Sequence, residues 1–200
     1  MTRPEFGAKP TVLRCSRCGR FVDWEDARLQ VVCRCRPRVE LPPVIVRQAL
    51  PEDRAATLAL FRRDFGHVEA GPFGSTIELQ DKPALVAEMK GELAGALAYR
   101  LLPGALQILA LATEPMWQRS GVGDHLVEQA EELTRRHGLR RVMFATTNDN
   151  LPSLYFYQRR GFRISEVLPD AAVPGPLSSA ARGFAGIPVR DEIRLEKLLD

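Results

Sequence analysis

The spacing of apolar residues predicts a strand, a helix, a strand and a second helix in succession between residues 106 and 162. LQILALAT at 106–113 is a continuous apolar run, typical of a buried strand. The helix predicted within 122–138 has apolar residues at a helical period and ends at Gly138. VMFATT then predicts a buried parallel strand, and SLYFYQRR predicts the second helix. The apolar face of the first helix comprises Val122, Leu126, Ala130 and Leu133.

The residues on either side of this stretch complete a mixed sheet. VIVRQA at 44–49 indicates a first strand. PALVAEM and ELAGALAYRL indicate a hairpin, after which the chain turns into LQILALAT, so these three antiparallel strands precede the glycine-containing segment at 118–123. GFRISEVL and DEIRLEKLL predict two later strands, separated by a loop at 169–190 that is rich in Pro, Gly, Ala and Ser. A helix that starts at Pro51 has a predicted apolar face of Ala55, Leu58, Ala59, Phe61 and Phe65. The predicted fold class is therefore α/β with a mixed sheet.

The segment QRSGVG at 118–123 lies between a buried strand and a helix, and it predicts an anion site. Gly121 and Gly123 allow the backbone to turn and a ligand to approach closely. The first N–H groups of a helix have no partner within it, and the helix dipole is positive there, which favours a phosphate or pyrophosphate. The sequence contains neither G-x-x-x-x-G-K-[ST] nor G-x-G-x-x-G with a downstream acid, which excludes the nucleoside-triphosphatase and dinucleotide loops.

Two motifs resemble those of the GNAT superfamily of N-acetyltransferases. QRSGVG is similar to the family's (Arg/Gln)-x-x-G-x-(Gly/Ala) motif. A second set is similar to its N-x-x-A-x-x-x-Y-x-x-x-G-F pattern, with Ser153 in place of the usual Ala: Asn150, Ser153, Tyr157, Gly161 and Phe162. The 26 residues between the two motifs accommodate the predicted helix and strand. The resemblance covers residue 44 to the C-terminus, where GIPVRDEIRLEKLL is similar to the final strand of one GNAT subgroup, and it does not include the cysteine-rich N-terminus.

The resemblance implies a GNAT-like fold and acetyl-CoA as the co-substrate. Such a fold has antiparallel N-terminal strands and a central parallel pair that splays apart, with pantetheine in the gap and the thioester carbonyl on the first strand's backbone. Asn150 corresponds to the family's pantetheine-contacting Asn, although it is equally suited to cap the following helix. The residues expected to bind acetyl-CoA are Leu111, Ala112, Thr113, Gln118, Arg119, Ser120, Gly121, Val122, Gly123, Asp124, Asn150 and Tyr157.

Two residues are candidates for proton transfer. Tyr157 matches the family's Tyr that protonates the departing thiolate, and its alternative role is aromatic packing, because it ends a run of three aromatic residues. Glu114 directly follows the central strand and is the candidate general base, with Asp149 and Glu78 as alternatives that could act through water. The histidines are interpreted as surface, capping or loop residues: His67, His125 and His137.

The four cysteines predict a structural zinc site that the GNAT resemblance does not explain. Cys15 and Cys18 form C-x-x-C, and Cys33 and Cys35 follow as C-x-C, whose side chains share one face of an extended strand. Four thiolates can enclose a tetrahedral Zn²⁺, and a metal would stabilise a module too small for a large core. A rubredoxin-like iron site and a redox dithiol are the alternatives. A catalytic zinc is not expected, because four cysteine ligands leave no open position.

Positive charge is concentrated in the same module. Residues 1–40 contain nine Lys and Arg against five Asp and Glu, a net charge of +4, while the rest of the chain has a net charge of −1. Six arginines flank the cysteines: Arg14, Arg17, Arg20, Arg34, Arg36 and Arg38. They could contact RNA or an acidic protein, or they could simply offset the negative metal–thiolate centre and stay solvated. The lack of interleaved aromatic residues favours the second interpretation.

Length and composition suit one domain with a small appendage. We expect a flexible tail at 1–10, a four-cysteine zinc-ribbon-like module at 11–40, a Pro-containing linker at 41–43 and the GNAT-like domain at 44–200. No apolar run approaches the ~18 residues of a membrane span, and the start lacks a signal-peptide core, so the expected compartment is the cytoplasm. Because GNAT proteins are often dimers, a homodimer is one expectation.

Two functions are consistent with these features. The first is acetyl transfer from acetyl-CoA to a small-molecule or peptide primary amine by direct attack in a ternary complex, with the acceptor set by the loops at 66–82 and 169–188. The second is an acyl-CoA sensor without turnover, whose zinc module contacts a protein or nucleic acid. A weaker variant of the first makes the acetylated target nucleic-acid-bound. Tyr157 favours catalysis, and the lack of an assigned base favours the sensor.

Overall fold

The computed structural model describes residues 41–65, 69–70, 77–171 and 183–200. The predicted tail and zinc-ribbon-like module, including all four cysteines, lie outside the described residues, as do His67 and parts of both predicted acceptor loops. The described strands are β1 (Ile45–Gln48), β2 (Glu69–Ala70), β3 (Ile77–Glu78), β4 (Ala84–Met89), β5 (Glu92–Leu102), β6 (Ala105–Thr113), β7 (Arg141–Thr147), β8 (Arg163–Leu168) and β9 (Glu192–Leu198). The α-helices among them are α1 (Arg54–Phe65), α2 (Val122–Arg136) and α3 (Leu151–Arg159).

Seven of the described strands form one mixed sheet in the order β1-β4-β5-β6-β7-β9-β8. β6 and β7 pair in parallel, and the other neighbours in this sheet pair antiparallel. A parallel pair needs a crossover connection, which α2 provides between β6 and β7. The predicted mixed α/β class, the three antiparallel strands before the glycine segment and the parallel pair are therefore confirmed. The insertion of β9 between β7 and β8 is not evident from the sequence, because strand order depends on long-range pairing.

The two faces of the sheet are covered by different helices. α2 and α3 pack on one face, where the predicted apolar residues of α2 are all buried, and α1 packs on the other. The predicted face of α1 is only partly right. Thr57, Leu60 and Phe61 are the buried residues of this helix, whereas three predicted members of the face are exposed: Ala55, Ala59 and Phe65. Apolar residues occur on every side of α1, so periodicity alone does not determine which side packs.

A β-bulge interrupts the pairing of β5 with β6. Ala98 lies opposite Ala110 and Tyr99 lies opposite Ile108, so Leu109 is an extra residue on β6. Bulges bend a strand and increase its twist. The bend falls just beyond the last residue of β6 that pairs with β7, Gln107. It therefore coincides with the point where the two parallel strands separate.

Two structural features are absent from the described residues. None of their helices combines the length and the apolarity that a membrane span requires. No group of three or more His, Cys, Asp or Glu side chains among them is arranged to hold a metal ion.

Candidate active site

The centre of the site is a wedge-shaped gap between β6 and β7. The two strands pair only at Leu106 with Val142 and at Gln107 with Met143. Both strands continue for several residues beyond this point, to Thr113 and to 147. The gap thus widens toward the carboxyl ends of both strands, which is where ligands bind in open α/β sheets. We call its wide end, bordered by residues 113–114 and 147–149, the mouth.

Backbone groups of β6 that point away from β5 face the gap. The Glu114 N–H donates to the Ala94 carbonyl at 2.9 Å, so these two residues form a hydrogen-bonded pair between β6 and β5. Two positions back along β6, Ala112 lies opposite Ala96. Residues of an antiparallel strand alternate between pairs that exchange hydrogen bonds and pairs that do not. Ala112 therefore directs its backbone toward β5. Leu111 and Thr113 direct their N–H and C=O groups the opposite way, into the gap.

The β7 side of the gap is built in the same manner. The Asn148 N–H donates to the Asp191 carbonyl at 2.9 Å, which continues the ladder between β7 and β9. By the same alternation, the backbone groups of Ala145 and Thr147 face β6 across the gap. The Thr147 carbonyl accepts a hydrogen bond from the Asn150 N–H at 3.1 Å. An extended ligand with amide groups could pair with both rows, much as an added strand completes a sheet.

The glycine segment forms the turn into α2. Gly121 precedes the helix with φ +95°, and Arg119 has φ +66°, so the backbone is left-handed at both positions. Gly121 suits this conformation because it lacks a Cβ. α2 begins at Val122, and the N–H groups of its first three residues have no acceptor within the helix. An anion at this helix end would meet N–H groups and the positive end of the helix dipole.

Ser120 has a structural role within this turn. Its N–H donates to the Trp117 carbonyl at 3.2 Å, and its hydroxyl donates to the same carbonyl. The hydroxyl oxygen also lies 3.6 Å from the sulfur of Met89 at the end of β4. The Gln118 N–H donates to the Pro115 carbonyl at 3.4 Å. Ser120 and Gln118 thus hold the turn together through their backbone groups, and the helix end presents the remaining N–H groups.

Two glycines allow α2 to approach the sheet and α3. A Cβ on Gly95 of β5 would lie 2.7 Å from a Val122 methyl and 2.9 Å from the Ala112 carbonyl oxygen. A Cβ on Gly123 would lie 3.4 Å from the Phe156 ring, an ordinary contact at the limit of close packing. Gly95 is essential to this arrangement, yet it was missed in the sequence, where it is an unremarkable glycine within an Ala-rich strand.

Arg160 joins the end of α3 to the first turns of α2. It donates to the carboxylate of Asp124 and lies 3.4 Å from that of Glu128, and its guanidinium stacks 5.8 Å from the centre of the Phe156 ring. The pairing offsets the negative charge of Asp124 at the helix end that is suited to an anion. Arg160 was not among the predicted site residues, because nothing in the sequence indicates that it meets Asp124.

Tyr157 lies in an aromatic cluster with an unsatisfied hydroxyl. It is 2% exposed, stacks on Phe144 of β7 at 3.9 Å, and contacts Phe156 and Phe162 edge to face. Burial raises the pKa of its phenol far above the ordinary value, and the nearby Arg160 opposes this only in part. The hydroxyl has no hydrogen-bond partner. The predicted aromatic packing is therefore observed. The proton-donor role of Tyr157 stays a prediction, with which a hydroxyl that lacks a partner is compatible.

Asn150 caps α3. Its side-chain oxygen accepts a hydrogen bond from the Ser153 N–H at 3.2 Å, in the usual manner of a helix N-cap. This satisfies the oxygen, whereas the side-chain NH₂ group remains a donor beside the mouth. The capping role predicted for Asn150 is thus observed, and it is compatible with a contact to a ligand.

Glu114 is held by an arginine of α1. Arg63 donates from Nη1 to the Glu114 carboxylate at 2.5 Å and from Nη2 to the Thr113 carbonyl at 3.3 Å. The hydrogen bond that Arg63 donates to Glu114 is the leading cause that raises the pKa of the Arg63 guanidinium. The contact joins α1 to the end of β6. Glu114 directly follows the central strand, as the sequence predicts, but its carboxylate is engaged.

The other predicted acids and histidines are distributed around the site. Glu78 accepts a hydrogen bond from Gln80 at 2.6 Å on the exposed surface. Asp149 is buried at the mouth and contacts Phe184. His125 is exposed and its Nδ1 lies 2.9 Å from the Gly121 carbonyl, so this nitrogen carries the proton and helps to close the glycine turn. Of its two predicted roles, the surface position is observed, whereas no side chain caps the start of α2.

Comparisons with known proteins agree with this geometry. Residues 54–162 match the model of the Acetyltransferase (GNAT) family. The uncharacterized protein YdhI of Bacillus subtilis is 31% identical over 115 residues, which are 55% of this chain and 69% of YdhI. An acetyltransferase of Bacillus subtilis solved in complex with CoA has a TM-score of 0.58 and 22% identity, and the match covers 80% of this chain and all of that one. A GNAT family acetyltransferase from Elizabethkingia anophelis with acetyl-CoA bound has a TM-score of 0.58 and 21% identity, covering 78% and 98% of the two chains.

Proposed function

Because the chain belongs to the GNAT acetyltransferase family, we propose that it is an N-acetyltransferase that moves the acetyl group of acetyl-CoA directly to a primary amine within a ternary complex. The observation that carries this proposal is the gap between β6 and β7, together with Tyr157, which stacks on Phe144 of β7 and has an unpaired hydroxyl. A gap lined with free backbone groups suits an extended molecule with amides, and a buried phenol suits a leaving group that needs a proton. These features fit acetyl-CoA.

The residues that would hold acetyl-CoA occupy the gap and the helix end. The N–H groups of Gly121, Val122, Gly123 and Asp124 would bind the pyrophosphate, aided by the cation of Arg119 and by the turn that Gln118 and Ser120 stabilise. Leu111 and Thr113 would bind the pantetheine amides and the thioester carbonyl through their backbone, with Ala112 supporting them from the β5 side. The side-chain NH₂ group of Asn150 would donate to a pantetheine carbonyl.

The chemistry requires one proton to leave the amine and one to reach the sulfur. Acetyl-CoA supplies an activated thioester with a thiolate as the leaving group. Tyr157 would donate its hydroxyl proton to that sulfur, which fits a phenol that burial keeps protonated. Glu114 would accept the amine's proton through a water molecule at the mouth. The Leu111 and Thr113 N–H groups would stabilise the oxyanion that develops on the carbonyl.

The ion pair between Arg63 and Glu114 favours a second candidate function, an acyl-CoA sensor that does not turn over. In this structure the Glu114 carboxylate is engaged by Arg63 and is not turned to an incoming amine as a free acceptor. If this pair persists when acetyl-CoA is bound, the chain would bind the co-substrate without an available base. The two candidates differ in whether any amine induces release of CoA.

The N-terminal module is expected to add a structural zinc ion. We propose that Cys15, Cys18, Cys33 and Cys35 bind one Zn²⁺, with iron as the alternative, and that the basic residues around them contact a protein or RNA. We also keep the cytoplasm and a homodimer as expectations. Metal analysis of the full chain tests the first point, since about one zinc per chain is expected and loss of the metal on substitution of Cys15 to Ser assigns the ligand. A metal-free native chain would contradict it.

The decisive experiment measures CoA release from acetyl-CoA in the presence of polyamines, amino acids, aminoglycosides and short peptides. Turnover with one class of amine supports the enzyme and names its substrate class. Binding of acetyl-CoA, detected as a rise in melting temperature, without turnover of any amine would support the sensor instead. A chain that neither binds acetyl-CoA nor releases CoA would contradict both functions.

A further inference from the structure

Two adjacent residues after β7 attach the segment 183–191 to the mouth. The Asn148 side-chain oxygen accepts from the N–H groups of Arg190 and Asp191 at 2.9 and 3.0 Å, and its NH₂ group donates to the Pro188 carbonyl at 3.0 Å. Asn148 thus satisfies both ends of its amide in fixing this segment. A neutral side chain is sufficient for that purpose.

Asp149 attaches the same segment but leaves part of its hydrogen-bonding capacity unused. Its Oδ2 accepts from the Phe184 N–H at 3.2 Å, while Oδ1 is buried and has no hydrogen-bond partner. The residue is only 8% exposed. Among the residues that the structure describes, no Lys, Arg or His forms an ion pair with it.

The fit of Asp149 against Gly183 is also tight. A Cβ at Gly183 would lie 1.7 Å from Oδ2, so a side chain there would displace the carboxylate. The carboxylate is thereby confined between β7 and the turn at Gly183–Phe184. A carboxyl oxygen that is buried without a partner is unfavourable, and a single N–H bond could be made equally well by a neutral amide. The charge of Asp149 therefore has no counterpart in the described part of the chain.

The position of Asp149 indicates what that counterpart is. It lies two residues beyond β7 at the mouth, and Glu114 lies directly beyond β6 on the other side. We propose that the unpartnered oxygen of Asp149 binds the acceptor's ammonium group, so that the enzyme selects amines that arrive protonated. This inference rests on the proposed function. Asp149 would orient the acceptor amine, and the proton removed before attack would pass to Glu114 through water.

The experiment separates the charge of Asp149 from its contact with Phe184. Asp149→Asn keeps an oxygen that can accept the Phe184 N–H but removes the charge, whereas Asp149→Ala removes both. The acceptors are spermidine, lysine and kanamycin, whose alkyl amines are largely protonated at neutral pH because such groups titrate near ~10. The control is Glu132→Gln, a carboxylate on α2 whose ion pair with Arg136 at 3.4 Å is exposed on both sides.

For Asp149→Asn we expect an acceptor KM that rises about tenfold or more, because one partner of a buried charge pair is lost. The KM for acetyl-CoA should stay within about twofold, and the melting temperature without acceptor should equal or exceed that of the wild type, since an unpaired buried charge is removed. Asp149→Ala should lower both activity and melting temperature, and Glu132→Gln should change neither.

Two results would overturn the inference. One is an acceptor KM that is unchanged in Asp149→Asn while the wild type turns over. The other is a melting temperature of Asp149→Asn as low as that of Asp149→Ala, which would make the carboxylate a structural requirement. If the wild type acetylates none of the three amines, the proposed function fails for cationic acceptors. The melting temperatures of Asp149→Asn and Asp149→Ala then still show whether the charge of Asp149 is a structural requirement.

Discussion

The proposed co-substrate side and the proposed acceptor side of the mouth are assembled in different ways. The proposed co-substrate side is formed largely by one contiguous segment, residues 118–124, in which two glycines and the start of α2 supply the N–H groups. The proposed acceptor side is formed by pairs that are far apart in sequence, Arg63 with Glu114 and Asp149 with Phe184, separated by 51 and 35 positions. On this proposal a common co-substrate would be recognised by a local backbone shape, whereas the acceptor would be recognised by side chains that only the folded chain brings together.

Substitution of Tyr157 to Phe tests whether the buried hydroxyl belongs to the co-substrate side. We expect kcat to fall by about 10³-fold, within the range for loss of a general acid, with little change in either KM. The melting temperature should not fall, because Phe removes a hydroxyl that has no partner. Tyr155→Phe is the matched control, since that hydroxyl is exposed and accepts only from Arg159 at 3.0 Å. Equal activity of the two variants would contradict the assignment of the acid.

Substitution of Glu114 to Gln tests the acceptor side. If Glu114 accepts the amine's proton through water, kcat should fall by about 10²-fold. Stability should change by less than about 1 kcal/mol, because partly exposed ion pairs contribute little. Arg63→Gln serves as the companion variant: it breaks the same ion pair but leaves the carboxylate in place, and so should retain or increase kcat. Full activity of Glu114→Gln would remove it as the base and leave Asp149 as the nearest alternative at the mouth.

The same contrast, between a contiguous segment and contacts distant in sequence, explains which features could be predicted from the sequence. The positions of β4 to β7, the buried face of α2 and the turn at Gly121 follow from local periodicity and glycine placement, and the structure agrees with each. The closeness of Gly95 to α2 and the Arg160–Asp124 pair depend on tertiary packing that no local pattern encodes. Arg63 was missed for the same reason.

The sequence did not determine which side of a uniformly apolar element faces its neighbour, and two predictions for individual residues were wrong for this reason. α1 contains apolar residues all round, so its buried face was assigned partly to Ala55 and Ala59, which are exposed. Ala112 was grouped with Leu111 and Thr113 as a backbone ligand, but the strand register turns its N–H toward β5. A sequence indicates that a strand is buried, whereas the direction of each backbone group depends on which neighbour it pairs with.

Substitution of Gly121 to Ala tests the contiguous segment with a smaller expected effect. Gly121 has φ +95°, a conformation that costs an Ala about 1–2 kcal/mol, so the turn should distort and the KM for acetyl-CoA should rise about tenfold. The acceptor KM should not change, because the acceptor side is built from other segments. Gly123→Ala is the control, as its φ is not left-handed and a Cβ there has an ordinary contact. An equal rise in both KM values for Gly121→Ala would show that the two sides are not independent.

The smallest expected effect concerns the attachment of α1, which carries Arg63 to the acceptor side. Asp53 precedes α1 and accepts from Arg47 at 2.5 and 3.0 Å and from the Leu50 N–H at 2.7 Å. The hydrogen bond from Arg47 is the main cause that lowers the pKa of the Asp53 carboxyl, and the Leu50 N–H adds to it. A lowered folded-state pKa stabilises the fold above the unfolded value of about 3.9 and loses this contribution as the pH falls through the folded value.

Asp53→Asn should therefore lower the free energy of unfolding by about 1 kcal/mol at pH 7, and the difference from wild type should shrink as the pH falls below about 4. Urea unfolding at several pH values measures both quantities. Asp81→Asn is the control, because its ion pair with Arg54 at 2.9 Å is exposed on both sides and should contribute almost nothing at either pH. If Asp53→Asn instead lowers stability equally at pH 7 and pH 3, the stabilisation comes from the hydrogen bonds that Asn would lose at any pH, and the charge of Asp53 is not what attaches α1 to the acceptor side.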